Sequence, residues 1–115
     1  MSDLSQSLCV PCHGGEVAAT QTEIDALLPQ IPGWCQFQIN GVDRIERVYS
    51  FKDFVTALAF TNAVGEIAET AAHHPVLMTE WGRVTVTWWT HTVQGLHKND
   101  LIMAAKTDDL ALSFV

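Results

Sequence analysis

The order of hydrophobic periodicities along the chain is the feature that most constrains its fold. From residue 51 to about residue 72, apolar side chains recur with the spacing of a helix, whereas the stretches on either side alternate as strands do. Pro75 cannot continue the helix, so the helix must end before it. We expect the apolar stripe of this helix to consist of Phe51, Phe54, Val55, Leu58, Phe60, Val64 and Ile67.

A β-hairpin is predicted on each side of the long helix. Before it, "WCQFQIN" alternates like a half-buried strand, the Asn-Gly pair at 40–41 is a strong turn signal, and "DRIERVYSF" supplies the returning strand. After it, "VLMTEWGR" predicts a strand and turn that lead into "RVTVTWWTH". In this last strand we assign Val84, Val86 and Trp88 to the core, and Thr85, Thr87, Trp89 and His91 to the opposite face.

Shorter helices are predicted near the two ends of the chain. In "TEIDALLPQIPGW", Thr22 can cap a helix that the following prolines stop. The second helix is "NDLIMAAKTDDLAL", with Leu101, Ile102, Ala105 and Leu110 as core positions. The whole order predicts an α+β domain whose antiparallel sheet carries its helices on one face and leaves the other face free.

The N-terminal region contains "CVPCH", a spacing that is typical of haem attachment. Covalent haem attachment takes place outside the cytoplasm in most systems, and the chain shows no export signal, which disfavours that interpretation. A zinc site on Cys9, Cys12 and His13 lacks an evident fourth ligand, because Cys35 has no CxxC partner. We therefore expect residues 1–21 to be a flexible leader without bound metal, and residues 22–115 to be a single domain.

Charge and hydropathy exclude some partners. Thirteen acidic residues against six basic ones give a net charge of −7, which opposes binding to phosphate backbones, so no direct nucleic-acid ligand is expected. No apolar run approaches the ~20 residues that span a bilayer, so no membrane association is expected. Without an export signal we expect a cytoplasmic protein with reduced cysteines.

Four of the five histidines fall within residues 66–100. His73 and His74 close the long helix, and Glu69 precedes His73 by four residues, so a continuing helix would place that carboxylate beside the His73 imidazole. Asp100 lies near the start of the last helix, where it can favour the helix N-terminus or reach into a cleft. Histidine and carboxylate at helix ends also have purely structural roles, and these alternatives stay open for each residue taken alone.

The combination of spacings resembles one family. Glu69, the His73-His74-Pro75 triplet, Thr90-His91 at a strand end, "GL" at 95–96 and Asp100 together are similar to the pterin-4a-carbinolamine dehydratases. The resemblance covers about residues 22–112 and includes "GW" at 33–34. It implies a four-stranded antiparallel sheet with two to three helices packed on one face, and assembly into homodimers or homotetramers.

The resemblance also implies an activity and a set of roles. The reaction would be loss of water from 4a-hydroxytetrahydrobiopterin to give quinonoid dihydrobiopterin, with no metal or organic cofactor and a functional link to an aromatic amino-acid hydroxylase. By position, His73 and His91 would be the acid and base, in an order left open. His74 would orient the pterin and Glu69 would polarise an imidazole. Substrate binding would fall to Trp34, Thr90 and Asp100.

Three other interpretations remain at this stage. A metal ion could be bound by His73, His74 and His91, with Glu69 as a ligand or behind one, because Pro75 permits a sharp bend. Some members of the family stabilise dimers of a transcription factor, so a non-catalytic interaction module is a second alternative. A pterin-related role connected with molybdenum-cofactor enzymes is the third. Val76-Leu77, His97 and Asn99 depart from the family pattern, which bears on substrate affinity and on the preferred pterin side chain.

Overall fold

The chain folds as one antiparallel sheet with its helices on one side. The computed structural model describes residues 3–7 and 18–114. The four strands pair antiparallel throughout, in the order β1-β2-β4-β3, so the predicted fold class is confirmed. The elements are α1 (Gln21–Leu27), β1 (Cys35–Ile39), β2 (Val42–Ser50), α2 (Phe54–Ala71), β3 (Val76–Glu80), β4 (Arg83–Trp88) and α3 (Lys98–Ala111), with single 3-10 turns at Asp3–Gln6, Leu28–Gln30, His91–Val93 and Leu112–Phe114.

Both hairpins turn where the sequence predicts. Asn40 and Gly41 have φ angles of 53° and 78°, the left-handed pair that a two-residue type I′ turn requires. In the second hairpin Gly82 supplies the left-handed residue, with a φ of 73°. The two hairpins join through β2 and β4, whose register places Ile45 opposite Trp88.

The core lies between this sheet and helices α2 and α3. Val84, Val86 and Trp88 are fully buried, as predicted from the alternation in β4. Helix α3 contributes three of its four predicted core residues as buried side chains and packs the fourth, Leu110, against the edge of the core. The partners of Val84 and Trp88 on β2 are Tyr49 and Ile45, which are also buried.

The predicted apolar stripe of α2 is partly wrong. Phe54, Val55 and Leu58 are exposed, and the helix begins at Phe54 rather than Phe51, because the Asp53 carboxylate caps it by accepting the Thr56 N–H at 2.8 Å. The face that meets the sheet is instead formed by Ala57, Phe60, Val64 and Ala68. The small alanines let the helix approach the sheet closely, and they carry little hydropathy signal in the sequence.

The structure describes residues 3–7 and 18–21 of the predicted leader, and the flexibility of residues 1–21 stays a prediction. Leu4 is buried in the core and Lys106 Nζ donates a hydrogen bond to the Ser5 carbonyl at 2.8 Å. Helix α1 is capped by Thr20, not Thr22, in a reciprocal capping box with Glu23. Cys9, Cys12 and His13 lie outside the described residues.

The second face of the sheet is not covered by any described element. Strand β1 turns its apolar side towards this face, where Ile39, Val48, Val76 and Met78 are about half exposed. Within the described part of the chain, no helix is long and apolar enough to cross a membrane.

Candidate active site

A small cavity lies where α2 ends and β4 gives way to the following turn. Its volume is about 200 Å³. Ala72 ends α2 in the left-handed conformation, with a φ of 53°, and this sharp exit sends the two following imidazoles in different directions. His73 is buried whereas His74 is exposed. The residues that line the cavity are Ala72, His73, His74, Trp89, Thr90, His91 and Thr92.

His73 is held by a buried carboxylate. Its Nε2 lies 2.6 Å from Oδ1 of Asp100, a residue with no exposed surface. The second carboxylate oxygen of Asp100 accepts from the Thr90 hydroxyl at 2.7 Å and from the His97 backbone N–H at 2.9 Å. An ionised carboxylate only accepts hydrogen bonds, so Nε2 of His73 must donate, and the neutral imidazole then carries its free lone pair on Nδ1.

The start of α3 fixes the position of Asp100. His97 is the N-cap residue, and its Nδ1 accepts the Asn99 N–H at 3.0 Å. Asp100, three residues on, completes the capping box by accepting the His97 N–H. Of the two possibilities that the sequence left for Asp100, the cap at the α3 N-terminus is present. The same carboxylate binds His73, but it is fully buried and does not line the cavity.

The prediction that Glu69 holds His73 is wrong. Glu69 Oε1 instead lies 2.8 Å from Nε2 of His74, and both side chains are largely exposed. The spacing of four residues would place Glu69 beside His73 only if the helix continued, and Ala72 ends it first. The cavity consequently has two imidazole–carboxylate pairs. The His73–Asp100 pair is buried, and the His74–Glu69 pair lies at the rim.

His91 lies on the outer side of the sheet, as its parity with Trp89 indicated. It begins the 3-10 turn after β4 and is exposed. Its ring contacts the Trp89 indole with centroids 4.9 Å apart, and the Arg44 guanidinium carbon lies 3.9 Å above the same indole. On the inner side of the sheet, His73 is stacked parallel to Trp88 with centroids 5.6 Å apart.

Two predicted substrate contacts have other partners in the structure. Trp34 is buried in the core, where its Nε1 donates to Asp108 at 3.0 Å, and it does not line the cavity. The hydroxyl of Thr90 is used to hold Asp100. The aromatic wall of the cavity is Trp89, which the sequence analysis placed on the face of His91 without giving it a role. The alternation that places Trp89 and His91 on one face of the strand could have identified Trp89 from the sequence.

The metal alternative does not match the arrangement of the side chains. Among residues 3–7 and 18–114, no three histidine, cysteine, aspartate or glutamate side chains are placed to hold one metal ion. His73 and His74 each have a carboxylate partner of their own. What the cavity can offer is proton transfer, from one buried imidazole of defined tautomer and a second, exposed one.

The fold and the cavity together are those of a small α+β domain with a carboxylate-held histidine and a second histidine at one site. The chain belongs to the pterin 4 alpha carbinolamine dehydratase family, whose sequence profile matches residues 17–110. Two bacterial relatives carry the provisional name pterin-4-alpha-carbinolamine dehydratase. The one from Microcystis aeruginosa is 53% identical over 110 residues, covering 96% of this chain and 95% of the relative. The one from Syntrophotalea carbinolica is 54% identical, with 96% and 98% covered.

Solved structures agree with the family assignment. A transcriptional coactivator/pterin dehydratase from Brucella melitensis superposes with a TM-score of 0.73 at 34% identity, covering 82% of this chain and 98% of that one. A pterin dehydratase-like protein identified as a RuBisCO assembly factor in the alpha-carboxysome superposes with a TM-score of 0.59 at 20% identity, covering 69% and 89%. The second likeness shows the shared fold alone.

Proposed function

We propose that this chain dehydrates 4a-hydroxytetrahydrobiopterin to quinonoid dihydrobiopterin by histidine acid–base catalysis. The observation that carries the proposal is the 2.6 Å contact between His73 Nε2 and the buried Asp100 carboxylate at a cavity that His91 also lines. This contact sets the His73 tautomer before any substrate binds, which favours a function in which that imidazole exchanges a proton.

The reaction needs one acid and one base. The C4a–O bond breaks as the hydroxyl oxygen takes a proton and leaves as water, while the N5–H proton is given up and a C4a=N5 double bond forms. We assign the base to Nδ1 of His73, because its Nε2 proton is committed to Asp100. The acid is then His91, which is exposed and exchanges protons readily with solvent.

His74 and Glu69 would orient the pterin at the rim of the cavity. Their 2.8 Å contact restrains the imidazole, although both side chains remain in water. A hydrogen bond to the ring from such a residue acts on substrate and transition state alike, so its loss raises KM more than it lowers kcat. By the same proposal, the protein works as a homodimer or homotetramer in the cytoplasm beside an aromatic amino-acid hydroxylase.

The test is the dehydration of freshly generated 4a-hydroxytetrahydropterin, followed by ultraviolet absorbance. The wild type should accelerate it, and His73→Ala and His91→Ala should each lower turnover by roughly 10²–10⁴, the range for a lost acid or base. His74→Ala should raise KM with a smaller effect on kcat. A folded wild-type protein that gives no acceleration would refute the dehydratase proposal, and a His91→Ala variant with wild-type turnover would refute the assignment of the acid.

A non-catalytic interaction role is the second candidate. It is favoured by the exposed apolar stripe on α2, formed by Phe54, Val55 and Leu58, because such patches often bind other proteins. The dehydration assay and a measurement of oligomeric state together separate the two roles. Val55→Asp should disturb association through the stripe while leaving the histidine cavity intact. A folded wild type without dehydratase activity, whose oligomeric state changes in Val55→Asp, would support the non-catalytic role. Full activity with a changed oligomeric state would show that the stripe serves association of an active enzyme.

A further inference from the structure

Trp89 is a wall shared by two cavities. One is the histidine cavity, and the other lies on the open face of the sheet and has a volume of about 190 Å³. Ligand pockets usually hold roughly 300–1,000 Å³, so neither cavity alone is large enough for a pterin that carries a side chain. If the fused ring occupies the histidine cavity, its substituent can extend across the Trp89 indole towards the sheet face, because Trp89 lines both cavities.

Arg44 covers that exit. Arg44 precedes Ile45, the β2 partner of Trp88, and its guanidinium carbon lies 3.9 Å from the centroid of the Trp89 indole. Stacking on the ring face leaves the edge of a guanidinium, with its N–H groups, available to bind an anion. Arg44 lines the sheet-face cavity together with Trp89.

Among residues 3–7 and 18–114, the Arg44 side chain has no carboxylate partner. Arg47 pairs with Asp108 and Arg83 with Glu80, whereas the Arg44 side chain makes no hydrogen bond or ion pair with the part of the chain that the structure describes. Its Nε is buried and unsatisfied. Because this arginine pairs with no acid among the described residues, its N–H groups can donate to an anionic ligand.

The nearest acid on the same face of β2, which also lines the sheet-face cavity, does not pair with Arg44. Glu46 is two residues on and points to the same face, but it accepts a hydrogen bond from the Thr87 hydroxyl at 2.9 Å. A single arginine in a chain of net charge −7 does not attract a polyanion, so a small anionic ligand is the better fit.

We infer that Arg44 and Trp89 form a subsite for an anionic substituent, a phosphate or carboxylate, on the side chain of the pterin substrate. The inference rests on the proposed dehydratase function. It changes the preferred substrate from a pterin with the neutral side chain of biopterin to one with an anionic side chain. The ring would react at the histidines while the side chain crosses the indole and ends on the guanidinium.

The test compares three 4a-hydroxytetrahydropterins that differ only in the side chain, which is neutral, phosphorylated or carboxylated. Arg44→Gln should lower the ratio of kcat/KM for an anionic substrate to that for the neutral one by about 10- to 100-fold, as expected for a lost charge-assisted hydrogen bond. The change should lie in KM, and Arg44→Lys should restore part of it. Arg83→Gln, which removes an arginine already paired with Glu80, should leave the ratio as it is.

The anion preference can also be measured without turnover. Dissociation constants of the stable 7,8-dihydropterins with neutral and anionic side chains should show the same preference in the wild type and its loss in Arg44→Gln. A wild type without preference, or an Arg44→Gln variant that keeps it, would overturn the subsite. If the folded wild type accelerates no substrate but binds the anionic dihydropterin preferentially, the dehydratase proposal fails and the subsite stands. A preference for only one of the two anions would identify the natural substituent.

Discussion

Replacing Asp100 by asparagine should separate the tautomer of His73 from the stability of the fold. An asparagine can keep its carbonyl oxygen where Asp100 Oδ2 accepts from Thr90 and from the His97 backbone. Its amide group then takes the place of Oδ1, 2.6 Å from Nε2 of His73. Because that amide can only donate, the imidazole must accept at Nε2 and carry its proton on Nδ1. The nitrogen assigned as the base would be blocked.

The magnitudes follow from this count of hydrogen bonds. The substituted asparagine would still make a hydrogen bond with His73, Thr90 and the His97 backbone. The variant loses only the negative charge, which strengthens these hydrogen bonds and interacts favourably with the α3 N-terminus, so the free energy of unfolding should fall by about 1–2 kcal/mol. The loss of turnover should be far larger, roughly 10²–10⁴, because the imidazole is presented in the wrong tautomer. The corresponding exchange in a serine protease triad lowers kcat by about 10⁴ for that reason.

Three measurements decide the outcome. The dehydration assay gives kcat, urea denaturation gives the free energy of unfolding, and nitrogen NMR of the imidazoles reports the His73 tautomer. Asp108→Asn is the matched control, since Asp108 lies on the same helix and accepts from Trp34, Arg47 and Tyr49 outside the cavity. It should lower stability and spare kcat. A folded Asp100→Asn protein with wild-type kcat, or with an unchanged tautomer, would refute the reasoning.

Two further predictions concern stability. Burial, together with the hydrogen bond from its hydroxyl to Asp108, raises the pKa of Tyr49, the sole tyrosine of the chain, above its ordinary value of about 10. The unfolded chain therefore loses this proton first as the pH rises above about 10, and the free energy of unfolding should fall by up to about 1.4 kcal/mol per pH unit there. Tyrosinate absorbance and denaturation at alkaline pH test this, and a Tyr49→Phe protein that keeps the whole alkaline loss would contradict it. Phe60→Ala should cost about 3–5 kcal/mol, because Phe60 is fully buried, whereas Val55→Ala on the exposed side of α2 should change stability by about 0.5 kcal/mol or less. Equal losses in urea denaturation would contradict the orientation of that helix.

The order of the elements could be predicted because the signals for it are local. Alternation with a period of two, the Asn-Gly turn and the proline after the long helix each depend on neighbouring residues. The orientation of α2 could not be predicted, because the helix has apolar residues on two of its faces. The larger side chains Phe54, Val55 and Leu58 are exposed, and the buried stripe includes the weakly hydrophobic Ala57 and Ala68.

The candidate site was predictable as a set of residues and not as a set of contacts. Asp100 meets His73 from 27 residues away, and no local spacing encodes a contact of that range. The Glu69 partner was misassigned because one left-handed residue, Ala72, changes which imidazole faces the helix. Trp34 was misassigned because the sequence "GW" is the same whether the tryptophan contacts the pterin or packs in the core. In the structure its indole N–H donates to Asp108.

The two histidines of the proposed mechanism differ in how firmly the fold holds them. Asp100 ties together the turn after α2, the segment after β4 and the start of α3, so the orientation of His73 is set before substrate binds. His91 is exposed and packs against Trp89. Removing the His73 ring therefore leaves a buried carboxylate oxygen without its donor, at a cost of about 1–3 kcal/mol or more, and opens a void beside Trp88. Removing the His91 ring uncovers no buried polar group. A fall in kcat in His91→Ala is consequently not accompanied by a large loss of stability, whereas in His73→Ala it has to be compared with the change in the free energy of unfolding.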